Sequence, residues 1–163
     1  MKIIVELETD NLTVDALVQI IRQMNDERDL EKFAERHNSR VKTEIASNPH
    51  TSPSTLEQLS REDSFIVKWS VAANKRTPEI ALLRLATDED FLIRERIAER
   101  DGLSDSVILV LSQDKDDKIR EFARKEIKRR DLLWICFNNT HWQLKKEDNN
   151  WISLLLLWQP RRL

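Results

Sequence analysis

Apolar residues recur along this chain at a fixed offset of 26 positions. Val41, Val67, Ile93 and Ile119 share one column, Ile45, Val71 and Ile97 a second, and Ala46, Ala72 and Ala98 a third. A second group follows in each copy: Leu56, Leu82 and Ile108, then Leu59, Leu85 and Leu111. A fixed period of this length predicts a stacked repeat array over residues 41–130, with three copies and the start of a fourth. Each copy reads as two short helices. In the first, Val41 and Ile45 lie on one face, and the small Ala46 beside them lets neighbouring units approach closely. Asn48-Pro49 then stops the helix, because proline cannot continue it and biases its predecessor away from helical angles. Thr51 or Ser52, Thr77 and Ser104 are the expected caps of the second helices. Pro78 suits a first helical position. Leu83 and Leu109 reinforce the buried stripe of the later copies.

The flanks are less regular. Around Val5 the chain reads equally as a short strand or a first helical turn. Thr13 is an expected N-cap, followed by Val14, Leu17, Val18 and Ile21 at helical spacing. The string from Thr13 echoes the one from Thr77, which makes residues 1–40 a helical segment with the look of a degenerate earlier repeat. Residues 25–29 form a polar break, after which Leu30, Phe33 and Ala34 resemble Ile119, Phe122 and Ala123. Residues 131–163 abandon the period and hold Trp134, Trp142, Trp151 and Trp158. Three readings of this Trp-rich extension stay open: a cap for the open end of the array, an anchor on a partner or membrane surface, or an extension without selected structure.

Charge follows the same period. Acidic loops recur at Glu62-Asp63, Asp88-Glu89-Asp90 and Asp114 with Asp116 and Asp117. Six residues after the first acid of each comes a base: Lys68, Arg94 and Arg120, with Lys42 opening the column. This predicts a ladder in which each base meets the acidic loop of its own or an adjacent unit. Exposed pairs contribute ~0–1 kcal/mol each, so their larger role would be to fix register. Gly102 is the lone glycine, and tight hairpins lean on glycine, so the chain is expected to be all-α. The net charge is −2, without the basic excess by which nucleic-acid binders usually announce themselves. The lone Cys136 excludes an intrachain disulfide framework and an all-Cys metal or iron–sulfur site. The run Ile3-Ile4-Val5 meets Glu6, Glu8 and Asp10 at once, unlike a signal peptide. The longest apolar stretch, residues 151–158, is too short to span a bilayer. The expected compartment is the cytoplasm.

The ordered motifs resemble the leucine-rich repeat variant family, whose units run Val-Arg, apolar-Ala, Asn-Pro, Thr-Pro, Leu-Leu, Leu-Ala and Asp-x-Asp. Val41-Lys42, Ile45-Ala46, Asn48-Pro49, Thr51, Leu56 and Leu59 match in copy one. Val67-Lys68, Val71-Ala72, Asn74, Thr77-Pro78, Leu82-Leu83, Leu85-Ala86 and Asp88-Glu89-Asp90 match in copy two. Copy three keeps Ile93-Arg94, Ile97-Ala98, Leu111 and Asp114-Lys115-Asp116, with Arg100-Asp101 in place of Asn-Pro. The resemblance covers about half the chain and implies a short right-handed α-solenoid of two-helix repeats, related to HEAT-like arrays. It implies a binding surface more than a catalyst. The iron–sulfur cofactor of one family member goes with a cysteine-rich segment that this chain lacks, so no cofactor is expected.

Catalytic chemistry finds little footing in the sequence. His37, His50 and His141 are scattered without metal-ligand spacing. Cys136 sits in an apolar run where a thiol is usually inert. One glycine permits no phosphate-cradling loop or nucleophile elbow. The expected function is a non-catalytic repeat scaffold for an unknown protein partner. The candidate surface is the variable face Thr43, Glu44, Trp69, Ser70, Glu95 and Arg96, with Trp69 as the anchor. The alternative is nucleic-acid binding along the basic final helix, where Lys118, Arg120, Arg124, Lys125, Lys128, Arg129 and Arg130 crowd together. An accessory enzyme like some HEAT-like lyases is a further alternative by fold analogy.

Overall fold

The computed structural model describes residues 12–36 and 38–130, all within the first of the chain's two units, Met1–Leu132. The expectations for residues 1–11 and for the Trp-rich extension, with His37, Cys136 and His141, lie outside the described residues. Nine helices and no strand are found among the described residues: α1 (Val14–Gln23), α2 (Glu27–Arg36), α3 (Ser39–Ser47), α4 (Pro53–Leu59), α5 (Phe65–Ala73), α6 (Glu79–Leu85), α7 (Phe91–Ala98), α8 (Asp105–Leu111) and α9 (Asp117–Arg129). From Ser39 onward the helix starts keep the sequence period. Two ladders result. In one, α1 packs on α3, α3 on α5, α5 on α7 and α7 on α9; in the other, α2 packs on α4, α4 on α6 and α6 on α8. This is an all-α helical-repeat solenoid. None of the described helices is long and apolar enough to cross a membrane.

The columns of the sequence are the core between the ladders. Val41, Ile45, Val67, Val71, Ile93 and Ile97 are fully buried, as are Leu56, Leu85 and Leu111. Truncating one of the larger of these to alanine costs about 2–5 kcal/mol. Ala46 and Ala72 are also fully buried, and their lack of a side chain beyond Cβ is what lets successive helices of the first ladder come together. Thr13 caps α1 by accepting a hydrogen bond from the Ala16 N–H. The echoes at the N-terminus point to the wrong ladder, however. The Thr13 helix resembles a second helix in sequence but packs as a first one, and α2 takes the second-ladder position. A cap followed by an apolar string is common to any amphipathic helix; what distinguishes a first helix is the turn that receives its C-terminus.

That turn is built on an asparagine. The last carbonyls of a helix have no partner within it. Asn48 Nδ2 donates to the carbonyls of Ile21 and Met24, at 2.7 and 3.0 Å. One unit on, Asn74 Nδ2 donates to those of Ala46 and Asn48, again at 2.7 and 3.0 Å. Their Oδ1 atoms accept from the N–H groups of His50 and Arg76, closing the turn. Each asparagine thus ties its own turn to the preceding unit. Of the expected caps, Ser52 and Ser104 serve, whereas Thr51 and Thr77 do another job. Their hydroxyls donate backwards to Ile45 and Val71, leaving Ser52 to cap α4 and no side-chain cap on α6, where Pro78 holds the N-cap position. Proline is not the shared stop signal either, since α5 ends at Ala73 with Asn74 as its C-cap and Lys75 behind it. In the third copy Arg100 replaces the asparagine. Its Nη1 reaches the carbonyls of Ala72 and Asn74 at 2.5 and 2.8 Å. A guanidinium cannot accept the closing hydrogen bond. Two residues on, Gly102 adopts a φ of 69°, a left-handed conformation that glycine adopts without steric cost.

On the other edge the charge ladder forms within units. Lys42 pairs with Glu62, Lys68 with Asp88 and Arg94 with Asp114, each base 20 residues before its acid, at 2.8, 2.8 and 2.7 Å. The Asp-x-Asp motif divides its labour. The first acid takes the base and accepts the N–H two residues on, as Asp88 does from Asp90 and Asp114 from Asp116. The second caps the next helix, Asp90 on α7 and Asp116 on α9. Arginine adds a bond that the lysine rungs do not make. Arg94 also donates to the carbonyls of Asp88 and Glu89, so one side chain binds both its own loop and the preceding one. Arg120 likewise donates to the carbonyl of Asp114 and pairs with Asp117.

Candidate functional site

The core uses one face of each first-ladder helix, and α5 has apolar residues left over. Its buried residues are Val67, Ser70, Val71 and Ala72. Phe65 and Ile66 in its first turn are 39% and 60% exposed. Leu92 occupies the Ile66 column one unit on and is 45% exposed. The same column holds Arg40 in α3 and Lys118 in α9, so two apolar side chains are flanked along the ladder by two bases.

Trp69 completes this patch. It is half-buried, with its ring 5.9 Å from that of Phe65. The Arg96 guanidinium, from α7, lies over the indole at 5.4 Å from the ring centroid. This is the range of a cation–π contact, worth ~0.5–1 kcal/mol where solvent reaches it. Trp69 and Arg96, singled out in the sequence because the copies differ there, are thus in direct contact across adjacent helices. Arg96 is also 3.6 Å from Glu99, and its side chain stays 37% exposed. Its Nε is buried without a hydrogen-bond partner among the described residues, as is that of Arg100. The Arg100 guanidinium has its pKa lowered by burial and, secondarily, by the charge of Arg96.

The other members of the expected face are more occupied. Glu44 accepts two hydrogen bonds from Arg22, at 3.0 and 2.9 Å. Thr43 bonds back to the carbonyl of Ser39, and Ser70 is buried. Glu95 is half-buried. Phe65, Ile66 and Leu92 were not among the candidates read from the sequence. Their signal is there: apolar residues stand in two columns that read Ser39 and Arg40 in α3 and Asp117 and Lys118 in α9.

The basic candidates of the final helix lie elsewhere. Arg129 pairs with Glu126 at 2.7 Å. Arg130 binds the carbonyl of Leu103 and the carboxylates of Asp105 and Glu126. Arg124 and Lys128 are exposed, and Lys125 pairs with Glu121. Much of the positive charge that the sequence concentrates here is met by acids of the same helix or of α8. Arg129 and Lys125 hold the Glu126 and Glu121 carboxyls below their ordinary values.

An open groove of about 470 Å³ runs between the loops of the second and third copies, lined in part by Asp88, Glu89, Arg94, Asp114 and Lys115. Its charged centre is the Arg94–Asp114 pair, whose two groups are engaged with each other. Among the described residues no group of three or more His, Cys, Asp or Glu comes together as a metal site. No protein-family model matches the chain, and neither the curated proteins nor the solved structures contain a significant match to it.

Proposed function

We propose that this chain is a non-catalytic helical-repeat scaffold of the leucine-rich repeat variant type, acting in the cytoplasm and binding a protein partner through the outer face of α5 and α7. The observation that carries this reading is Ile66, a large apolar side chain 60% exposed and flanked by Phe65, Trp69 and Leu92. Single exposed apolar residues are ordinary, whereas contiguous ones rimmed by polar groups mark interaction surfaces. Trp and Arg are also the residue types that most often dominate interface energetics. Phosphate binding by α9 has less support, since Arg129 and Arg130 already have carboxylate partners.

The test is affinity capture with the full chain, run beside an Ile66→Asp variant of unchanged helical circular dichroism and a Lys128→Glu control. The expected result is a partner retained by the wild type and the control but lost with Ile66→Asp. Equal retention by all three, or loss only with Lys128→Glu, would overturn the reading.

A further inference from the structure

The chemistry of the occupant can be narrowed, on the premise that the α5–α7 face is the interface. Its apolar part consists of four partly exposed side chains. Phe65, Ile66 and Leu92 are 39%, 60% and 45% exposed and Trp69 is half-buried, so at roughly 150–250 Å² for a large side chain in full the patch offers about 250–400 Å², well short of the roughly 800 Å² per partner of a stable protein dimer. It matches the anchor of a short segment better than the core of a second subunit.

One charged group on the face, Arg96, selects among segments. Arg96 lies across Trp69, and its one described acidic partner is Glu99, at 3.6 Å. That distance is beyond a good charge-assisted hydrogen bond, which falls near 2.7–2.9 Å. Glu95 is the other acid on the same stretch of α7, and Arg100, one turn on, adds a second guanidinium. The cation is therefore already held in place by the indole while its strong hydrogen-bonding capacity is unmet by Glu99. Fixing a long side chain before binding reduces the ordering cost of the complex.

We propose that the face takes a short amphipathic peptide segment of the partner, with an apolar anchor against Ile66, Trp69 and Leu92 and an Asp or Glu about one helical turn away that pairs with Arg96. Helix-in-groove recognition works in this way, with anchors at i, i+3 and i+4. The carboxylate supplies orientation and selectivity, and the apolar contact supplies most of the hold.

A library of short random peptides displayed on phage, panned against the full chain, tests this directly. Peptides enriched on the wild type should share an apolar residue three or four positions from an acid. A synthetic copy of one should bind about tenfold or more weakly when that acid is changed to its amide. With Arg96→Glu the library should instead yield peptides with a base at the same spacing. Arg96→Gln, less prone to disturb folding beside Glu95 and Glu99, should remove the acid preference while apolar anchors are still enriched. Enrichment of apolar peptides without an acid, or selection indifferent to both substitutions, overturns the proposal. So does an Ile66-dependent dimer in sedimentation, which assigns the face to a second copy. If no peptide is enriched but affinity capture still depends on Ile66, the partner is a folded surface: the peptide inference falls and the protein-binding reading stands.

Discussion

The second and third copies hold themselves to their neighbours by different chemistry at the same two edges. In the second, Asn74 closes the turn and binds the preceding unit, while the Lys68–Asp88 rung is a simple pair with side chains 23% and 12% exposed. In the third, Arg100 keeps the bonds to the preceding unit but cannot close its turn. The Arg94–Asp114 rung is almost fully enclosed, at 4% and 3%, with further bonds to the previous loop. Unit-to-unit stacking therefore does not require one motif. It requires that each helix's orphan carbonyls and each buried charge find a partner, and a guanidinium can serve at either edge.

The largest way to break this symmetry is Arg94→Met. It leaves the Asp114 carboxylate buried without its main partner and should cost about 3–5 kcal/mol in chemical denaturation. Acid dependence sharpens the point. Burial pushes the Asp114 carboxyl up, but the hydrogen bond from Arg94, the Asp116 N–H and the charges of Arg94 and Lys115 together hold it below its ordinary value. A depressed folded pKa contributes stability that is complete above the unfolded value, near 3.9, and is lost as pH falls through the folded one. In Arg94→Met the main lowering interaction is gone while the burial stays, so the stability that this group loses as pH falls below about 4 should shrink or vanish. Glu121 and Glu126 are depressed by bases of their own helix and its C-cap, not by Arg94, so they should cancel in the difference between the two pH curves.

Asn74→Ala comes next. It strands the Ala46 carbonyl and the Arg76 N–H, leaves the Asn48 carbonyl with the Thr51 N–H as its partner, and should lower stability by about 2 kcal/mol, read as a shift of the urea midpoint. Arg100→Ala should cost less, about 1 kcal/mol, because its bonds are only partly buried and its removal relieves the like charge of Arg96. Smallest is Lys42→Met. The Lys42–Glu62 rung is open enough to water that its loss should stay within about 1 kcal/mol and shrink further in salt. A ranking in which Lys42→Met rivals Arg94→Met would mean that enclosure is not what separates the rungs.

The repeat itself was plain in the sequence, because burial fixes apolar residues at a strict period and the columns at Val41, Ile45 and Leu56 record it. The base-and-acid recurrence was equally legible, but not its pairing. Arg94 adjoins Glu95 and follows Asp90 by one helical turn, yet the pair forms with Asp114 because the loop after the second helix returns beside the first. Arg100 stood out as a departure from Asn-Pro. Its role did not, since the reach of a guanidinium to carbonyls 26 and 28 residues back has no signature in spacing. The candidate face was half legible. Trp69 and Arg96 drew notice by differing between copies, and their contact follows from neighbouring columns on successive helices. Phe65, Ile66 and Leu92 passed unnoticed because apolar residues in a helical pattern are read first as core, and only the register of the ladder shows them to be on the outer side.

The asparagine and arginine bonds between turns also bear on how the chain folds. Nearly all side-chain hydrogen bonds that join separate described helices or turns span 20 to 28 residues, about one period. Short separations of this kind make loop closure inexpensive in entropy and favour rapid folding that starts at any pair of adjacent units and spreads outward. The bond from Arg76 to Glu27 reaches further and joins residues 49 apart across an intervening unit. It can close only after both of the shorter steps beneath it are complete, which makes it a natural reporter on the last stage of assembly at the N-terminal end of the array.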